Sequence, residues 1–493
     1  MRQAKQVEAV IWHALFLRTE RPGRSLQRRL REMIVTASAE KLIDQSLPLP
    51  SSRRLAEMLK VARTTVTLSY QQLESEGIIR SQPRRGFFLA RTSEDLQESQ
   101  ISTKVRSDSI SSRLLIKPST QKNIAKPTDW LLHPYPFLYG QFDAETFPLN
   151  EWRECVREAL SVAEIRHWAP DLIDGDDPQL VGLIKNRLLP RRGIWAESDE
   201  IMITLGAQQA IYIVAELLVG PDSVVGIEDP GYPDARNIFS LRTPHIRPLP
   251  VDNMGLIPEA IPPDVEIIFL TPTRQCPTGV PLPPNRRAKL LDLSEERGII
   301  LIEDDYESNF GVNHALRSVA DRGHVIYIGS LSKKLAPGLR FGFLVASRDV
   351  VRETRALRRL ILRHPPTNNQ RALALFLSLG HFDRLLQRNI GILAERASVL
   401  EQSLATYLPE FSVSHSQGGS SIWVKGPEDL DSRRLAEQAR GRGVLVEPGD
   451  VFFASKQPPT HFFRIGFSSI SARRIEAGIH ALSEVWRQHE APR

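Results

Sequence analysis

After residue 129 the chain returns repeatedly to short, wholly apolar runs separated by helix-like stretches. "VVGI" (224–227), "EIIFL" (266–270) and "IILI" (299–302) are the clearest of them. A strand with no polar face must be covered on both sides, and helical spacers favour parallel pairing. The pattern predicts an α/β domain built on a large, doubly covered sheet over residues 130–493.

Residues 91–129 read differently. "RTSEDLQESQISTKVRSDSISSRLLIKPSTQKNIAKPTD" is rich in Ser, Thr, Gln and Lys and lacks a sustained hydrophobic period. Such a stretch is expected to act as a flexible linker. It sets off a small basic unit at 1–90, where 16 Lys and Arg face 8 Asp and Glu. That unit carries +8 while the whole chain carries +6, so the remainder sums to −2. A basic excess confined to one segment points to a polyanion partner, although a solvated basic surface has the same charge.

Composition narrows the remaining classes. A length of 493 residues gives room for two or three domains of roughly 100–200 residues each. No run of about 18 uncharged apolar residues occurs, so no membrane span is expected. The start, "MRQAKQVEAVIWHALFLRTERPGR", has neither the long apolar region nor the cleavage site of a secretory signal. Cys155 and Cys276 are the only cysteines, too few for a disulfide framework or a zinc cluster. No metal site is expected, and a reducing cytoplasm is the expected location.

Within the basic unit, Ser51 or Ser52 can cap a helix carrying Leu55, Met58 and Leu59. After a break at Lys60–Ala62, a second helix is predicted from about Arg63 to Glu76, with Val66, Tyr70 and Leu73 on one face and Gly77 as its stop. Two short strands follow, "GIIRS" and "GFFLA", joined by "QPRR". Helix, tight turn, helix and basic hairpin make a winged helix-turn-helix pattern. Such a unit sets the N-terminal end of its second helix in the major groove of double-stranded DNA. Arg63 can there bond a guanine in bidentate fashion, and Thr64 and Thr65 can reach bases or phosphates. Arg53 lies near the backbone side, and Arg84 and Arg85 tip the wing.

In the larger part, "HVIYIGSLSKKLAPGLR" is a β-rich run followed by a polar turn. Ligands of open α/β sheets bind beyond strand ends. Ser330, Ser332 and Arg340 offer two hydroxyls and a planar cation to a phosphate. A neighbouring lysine can form a Schiff base with an aldehyde, although a lysine pair is more often merely solvated. "RGIILIEDDYESNF" ends an apolar strand in Glu303, Asp304, Asp305 and Tyr306. One such acid could face a pyridine nitrogen and the tyrosine a ring oxygen, the needs of pyridoxal 5′-phosphate. "TLGAQQA" (204–210) is a strand end, a glycine and a helix start, a natural phosphate seat. In "HFFRIGFSS", alternation puts Phe463, Ile465 and Phe467 on one face and Arg464 on the other, where a buried arginine needs an anion.

Two resemblances follow from these stretches. "LPSSRRLA", "VARTTV", "YQQLESEG" and the glycine-tipped wing match the GntR-type winged helix-turn-helix at Leu49, Pro50, Ser51, Arg53, Leu55, Ala56, Val61, Arg63, Thr65, Val66, Tyr70, Leu73, Gly77 and Gly86. "TLGAQQA", "EDPGYPD", "TPTRQCPTG", "IEDDYES" and "SLSKKLAPGLR", in that order, resemble a fold type I aminotransferase. Joined by a linker, the two resemble the MocR subfamily of GntR regulators. The resemblance covers about 46–90 and 130–470, within domains that composition sets at 1–90 and 130–493 around a linker at 91–129, and it implies that Arg53, Arg63, Thr64 and the wing around Arg85 touch DNA, beside the Thr65 named above. It implies that Lys333 holds pyridoxal phosphate as an aldimine, with Lys334 a neighbour lacking that role. It assigns Asp304 to the pyridine nitrogen, Tyr306 to the 3′ oxygen, Tyr232 to the ring, and Ala207, Gln208, Ser330, Ser332 and Arg340 to the phosphate. It also implies a homodimer, and an amino-compound effector that displaces Lys333 while Arg464 grips its carboxylate. A working aminotransferase with an appended DNA-binding domain would use the same parts. Cys276 stands where many aminotransferases have Asn, so the bond to the ring oxygen is either missing or made by Gln275. Arg236 comes later after the "PGY" tyrosine than the second arginine of some relatives, and Asp234 near the mouth bears on the choice of effector.

Overall fold

A computed structural model of the protein describes residues 12–13, 15–19, 24–39, 47–83, 85–90, 111–141, 143–307, 314–318, 324–414 and 418–490. Arg84 at the expected wing tip and residues 91–110 of the expected linker lie outside the described residues. The chain divides into two compact units, Met1–Leu114 and Leu115–Arg493.

In the first unit, helices α1 (Leu26–Ala39), α2 (Ser52–Leu59) and α3 (Arg63–Ser75) precede a hairpin of β1 (Ile79–Gln82) and β2 (Gly86–Leu89). The side chain of Ser51 caps α2 by accepting from the Arg54 amide at 3.3 Å. Lys60 ends α2 in the left-handed conformation, φ 53°, and this makes the tight turn into α3. The predicted faces meet: Leu55, Leu59, Val66, Tyr70 and Leu73 pack with Leu30, Met33 and Ile34 of α1. The Tyr70 hydroxyl donates to the Pro50 carbonyl at 2.8 Å, tying α3 to the start of α2. The hairpin pairs Ile79 with Leu89 and Gln82 with Gly86, which takes φ +101° at the bend.

The second unit is built on an eight-stranded sheet. Its strands are β3 (Ile201–Thr204), β4 (Val225–Asp229), β5 (Ile246–Asp252), β6 (Gly255–Leu256), β7 (Ile267–Leu270), β8 (Ile300–Asp305), β9 (Val325–Ser330) and β10 (Gly342–Val345). They lie in the order β3-β10-β9-β8-β7-β4-β5-β6. The strands β5, β4, β7, β8 and β9 run parallel, as the spacing predicts. β10 is antiparallel to both β9 and β3, which makes the sheet mixed. The cause is local: no α-helix separates β9 from β10, only the loop that carries "LSKKLAPGLRF" with a single 3-10 turn at Pro337–Leu339, so the chain turns straight back.

Helix α4 (Ala207–Leu218) follows β3 and covers one face through Ile211 and Val214, packed with Ile227, Phe269, Ile302 and Ile328. Leu301, Ile268 and Val325 point to the opposite face and enter a separate core, so both faces are buried. A smaller antiparallel sheet of β11 (Ser412–Val413), β12 (Ser421–Lys425), β13 (Glu447–Pro448) and β14 (Phe462–Gly466) has the order β11-β12-β14-β13. Among the described residues no helix is long and apolar enough to cross a membrane, and no His, Cys, Asp and Glu group is placed to hold a metal ion.

Residues 115–129, read above as the end of the linker, make their contacts within the second unit. Gln121 Nε2 donates to the Asn237 carbonyl at 3.1 Å, and Asn237 Nδ2 returns a bond to the Lys122 carbonyl at 2.9 Å. Polar composition hides this docking, because the bonds run largely through backbone carbonyls that carry no sequence signature.

Candidate functional site

The first unit presents its basic residues outward. Arg63 and Thr64 begin α3 and are exposed, with Thr65 partly buried behind them. Ala62, at the helix cap, makes no side-chain hydrogen bond to the first turn. The Thr65 amide donates to the Ala62 carbonyl at 3.1 Å, which leaves the Arg63 and Thr64 amides of that turn available to a phosphate. Arg53 is exposed and pairs with Glu57 at 3.2 Å, one helical turn on. Arg85 is exposed in the wing, its guanidinium 5.8 Å from the centre of the Phe88 ring.

The second unit contains a cavity of about 330 Å³ at the C-terminal ends of β8 and β9. All ten residues nominated for the cofactor and effector line it: Ala207, Gln208, Tyr232, Asp304, Tyr306, Ser330, Ser332, Lys333, Arg340 and Arg464. Strand alternation sorts the acids of "EDDY". Asp304 faces the cavity. Glu303 turns the other way and accepts from the Leu316 and Arg317 amides at 2.9 and 3.1 Å. Asp305 also turns away, to Arg192 at 2.8 Å and the Tyr327 hydroxyl at 2.7 Å. Asp304 Oδ1 is buried without a hydrogen-bond partner. Burial, with the Asp305 charge adding to it, pushes this carboxyl up to about 8. A cation facing it would reverse that rise.

Lys333 projects from the β9–β10 loop, its Nζ 4.5 Å from the centre of the Tyr139 ring. The side chain is open to the cavity although protein encloses the site around it. That enclosure, followed by the charges of Lys126 and Arg464, pushes its amine down to about 8. Lys334 points elsewhere, to the Glu307 carbonyl at 3.4 Å. The Ser332 hydroxyl closes the loop on Phe341, donating to its carbonyl at 3.0 Å and accepting from its amide at 2.7 Å. Arg340 donates to the Leu205 carbonyl at 3.1 Å and so lies against the start of α4. Gly206 is needed there: it takes φ +77°, and a Cβ would stand 3.0 Å from the Arg340 guanidinium.

Of the two roles open to Arg464 on sequence, the structure shows the salt bridge. Its Nε bonds Glu447 across the β13–β14 pair at 2.8 Å, with both side chains 2% exposed. Its Nη2 is buried and has no hydrogen-bond partner. Glu447 thus fixes the guanidinium of this cavity-lining residue through Nε and leaves Nη2 unbonded.

Several residues here escape sequence reading. Tyr139, Gly140, Ile124 and Lys126 line the cavity from stretches without a motif. The two alternatives for the ring oxygen also narrow. Gln275 is engaged with the Pro230 and Cys276 carbonyls, each at 2.7 Å, and does not line the cavity, whereas Cys276 does. Burial pushes the Cys276 thiol up to about 12, so it stays protonated. Arg236 is held by the Phe452 and Val451 carbonyls at 3.1 and 2.6 Å, outside the cavity lining.

Residues 22–89 match the family described as bacterial regulatory proteins, gntR family, and residues 179–482 match aminotransferase class I and II. The chain is 37% identical to the HTH-type transcriptional regulator TauR of Rhodobacter capsulatus, across 94% of this chain and 97% of that one. It is 27% identical to the "Probable rhizopine catabolism regulatory protein MocR" of Rhizobium meliloti, across 88% of each. LysN, an alpha-aminoadipate aminotransferase of Thermus thermophilus solved with N-(5′-phosphopyridoxyl)-L-leucine, shares the fold at a TM-score of 0.70 and 25% identity, covering 78% of this chain and 99% of that one. A GntR-type helix-turn-helix followed by a fold type I aminotransferase domain defines a class of DNA-binding regulators built on an enzyme fold. The chain belongs to the MocR subfamily of these GntR-type transcriptional regulators.

Pyridoxal phosphate is the cofactor of this domain. The residues present fit it: an unpartnered buried carboxylate for the ring nitrogen, a helix start beside Arg340 for the phosphate, and a lysine open to the cavity. The Lys333 amine attacks an aldehyde only when neutral. Below about pH 8 it is mostly protonated and above it mostly neutral. Capture of added pyridoxal phosphate by cofactor-free protein, followed by absorbance, is expected to speed up about tenfold per pH unit below that point and to level off above it. An unperturbed lysine would keep accelerating to about pH 10.

Proposed function

We propose that the protein is a pyridoxal-phosphate-dependent transcriptional regulator that senses an amino acid or a related amine at Lys333. The observation that carries this reading is Arg464, which lines the same cavity as Lys333 and whose buried Nη2 has no hydrogen-bond partner. When bound, pyridoxal phosphate supplies an aldehyde carbon that an amine can occupy as a Schiff base. Lys333 would hold that position in the resting protein, where an effector's amino group would compete with it. Arg464, aimed by Glu447, receives the effector's carboxylate. Asp304 keeps the proton on the ring nitrogen, and Tyr306 reaches the ring oxygen. Tyr232 lies against the ring, and Ala207, Gln208, Ser330, Ser332 and Arg340 hold the phosphate.

Arg53, Arg63, Thr64, Thr65 and Arg85 contact the operator, within a DNA-binding domain at 1–90 that acts in the cytoplasm. The effector changes DNA binding because it favours one arrangement of the protein over another. Two copies of the chain form a homodimer, which suits paired half-sites on DNA. The same side chains would support transamination, and accumulation of keto product over many turnovers would favour the enzyme reading. The test is the absorbance spectrum of the holoprotein against a panel of amino acids and amines. A band that shifts with one class of compound supports sensing, and a band that no amino compound moves refutes it.

A further inference from the structure

Three cations converge on one ring. The Tyr139 ring centre lies 4.2 Å from the Arg464 guanidinium carbon, 4.5 Å from Lys333 Nζ and 5.9 Å from Lys126 Nζ. Lys333 and Arg464 already have roles in the reading above. Lys126 has none, and it comes from the stretch that sequence composition assigns to the linker.

Its placement is specific. Lys126 and Ile124 line the cavity, and the Lys126 ammonium donates to the Tyr139 carbonyl. An ammonium has three donors, so two remain for a ligand beyond that bond. Gly140 makes room for this pairing. It takes φ +69°, and a Cβ there would collide with Lys333 Nζ and stand 3.3 Å from Lys126 Nζ. The two amines are therefore close neighbours across a glycine. Around Lys126 stand Glu447, already bonded to Arg464, and Asp234, which accepts from the Tyr232 hydroxyl at 3.0 Å. Both acids have partners of their own. Burial lowers the Lys126 amine from its ordinary value, and the Arg464 charge adds to this. An anion placed between the two cations would relieve their repulsion.

We infer that Lys126 is an effector-binding residue: its ammonium joins Arg464 in holding the acidic group of the bound amino compound. The inference rests on the sensing reading above and deepens it. The effector is then an amino compound with an acid group rather than a plain amine. Its binding is also felt directly by residues 115–129, the first stretch of the second unit on the side of the chain that leads from the DNA-binding unit. Occupancy of the cavity and the anchorage of that stretch become one event.

The test uses holoprotein of the full chain and matched pairs of probes: β-alanine with propylamine, and alanine with isopropylamine. Each pair differs by a carboxylate in place of a methyl group. Affinity is read from the shift of the cofactor band in wild type, Lys126→Gln and Lys126→Arg. Lys126→Gln is expected to keep the band, to weaken binding of the acids about tenfold and to leave the amines unchanged, as loss of one charge-assisted bond predicts. Lys126→Arg is expected to restore most of the preference for acids. Equal weakening of acids and amines, or no change in either, would overturn the inference while leaving sensing intact. If no probe shifts the wild-type band while Schiff base forms normally, a wider panel of longer amino acids is read the same way. Failure of every acid there overturns the sensing reading and the role of Lys126 with it.

Discussion

Lys333→Ala is expected to abolish the Schiff-base absorbance of lysine-bound pyridoxal phosphate, leaving only that of the free aldehyde, while DNA affinity in the absence of effector stays unchanged. The cavity keeps the groups proposed for the phosphate, Arg340 against the start of α4 and Ser332 in its closed turn. The variant therefore still takes up the cofactor, but without a covalent bond and more weakly. Lys334 cannot substitute, because its amine is directed to the Glu307 carbonyl. Lys126 is held by the Tyr139 carbonyl. The response of DNA binding to amino compounds is expected to change together with the band. A Schiff-base band that survives in the variant would mean that another lysine carries the cofactor. Unaltered regulation in a variant without the band would make the large domain a scaffold.

Arg63→Ala is expected to produce the opposite pattern. The residue opens α3, is exposed, and stands beside first-turn amides that no side chain caps. Loss of a bidentate contact to a base costs about 1–3 kcal/mol at each half-site. Over two half-sites that reaches about 6 kcal/mol, within the range that separates specific from non-specific binding. Sequence-specific binding should fall to the non-specific level, with cofactor absorbance untouched. Loss of both together would contradict two separately folded modules. Binding measured at a stated salt concentration is essential, since phosphate contacts weaken steeply with salt.

The legibility of this chain in its sequence follows from what each residue does. Period and order expose the parallel strands and the helix-turn-helix faces; Asp304 is singled out by the resemblance, and alternation along β8 in the structure leaves it the one acid of "EDDY" on the cavity side. Arg464 is legible as an arginine opposite three apolar neighbours, but its partner Glu447 is not, since the pairing runs between strands with no shared motif. Helix α1 escapes notice although Leu30, Met33, Ile34 and Ala37 keep helical spacing; its four buried side chains sit among arginines that read as surface. Lys126 and Tyr139 escape for a deeper reason. Their stretch docks through backbone carbonyls and ring faces, and neither contact needs a recognisable residue pattern. The apolar runs alone do not reveal the antiparallel β10, because they report strands and spacers and not the absence of an α-helix between two of them; the mixed sheet is expected only from the resemblance to aminotransferases.

The central claim is that an amino compound in the cavity changes how the first unit binds DNA. The most direct measurement is the affinity of the holoprotein for DNA fragments it selects from a random pool, taken with and without the compound that shifts its absorbance band, in wild type and Lys333→Ala. The account predicts a change in affinity or in preferred half-site spacing for wild type and none for the variant. Equal DNA binding with and without the compound in wild type, at concentrations that fully shift the band, would contradict it.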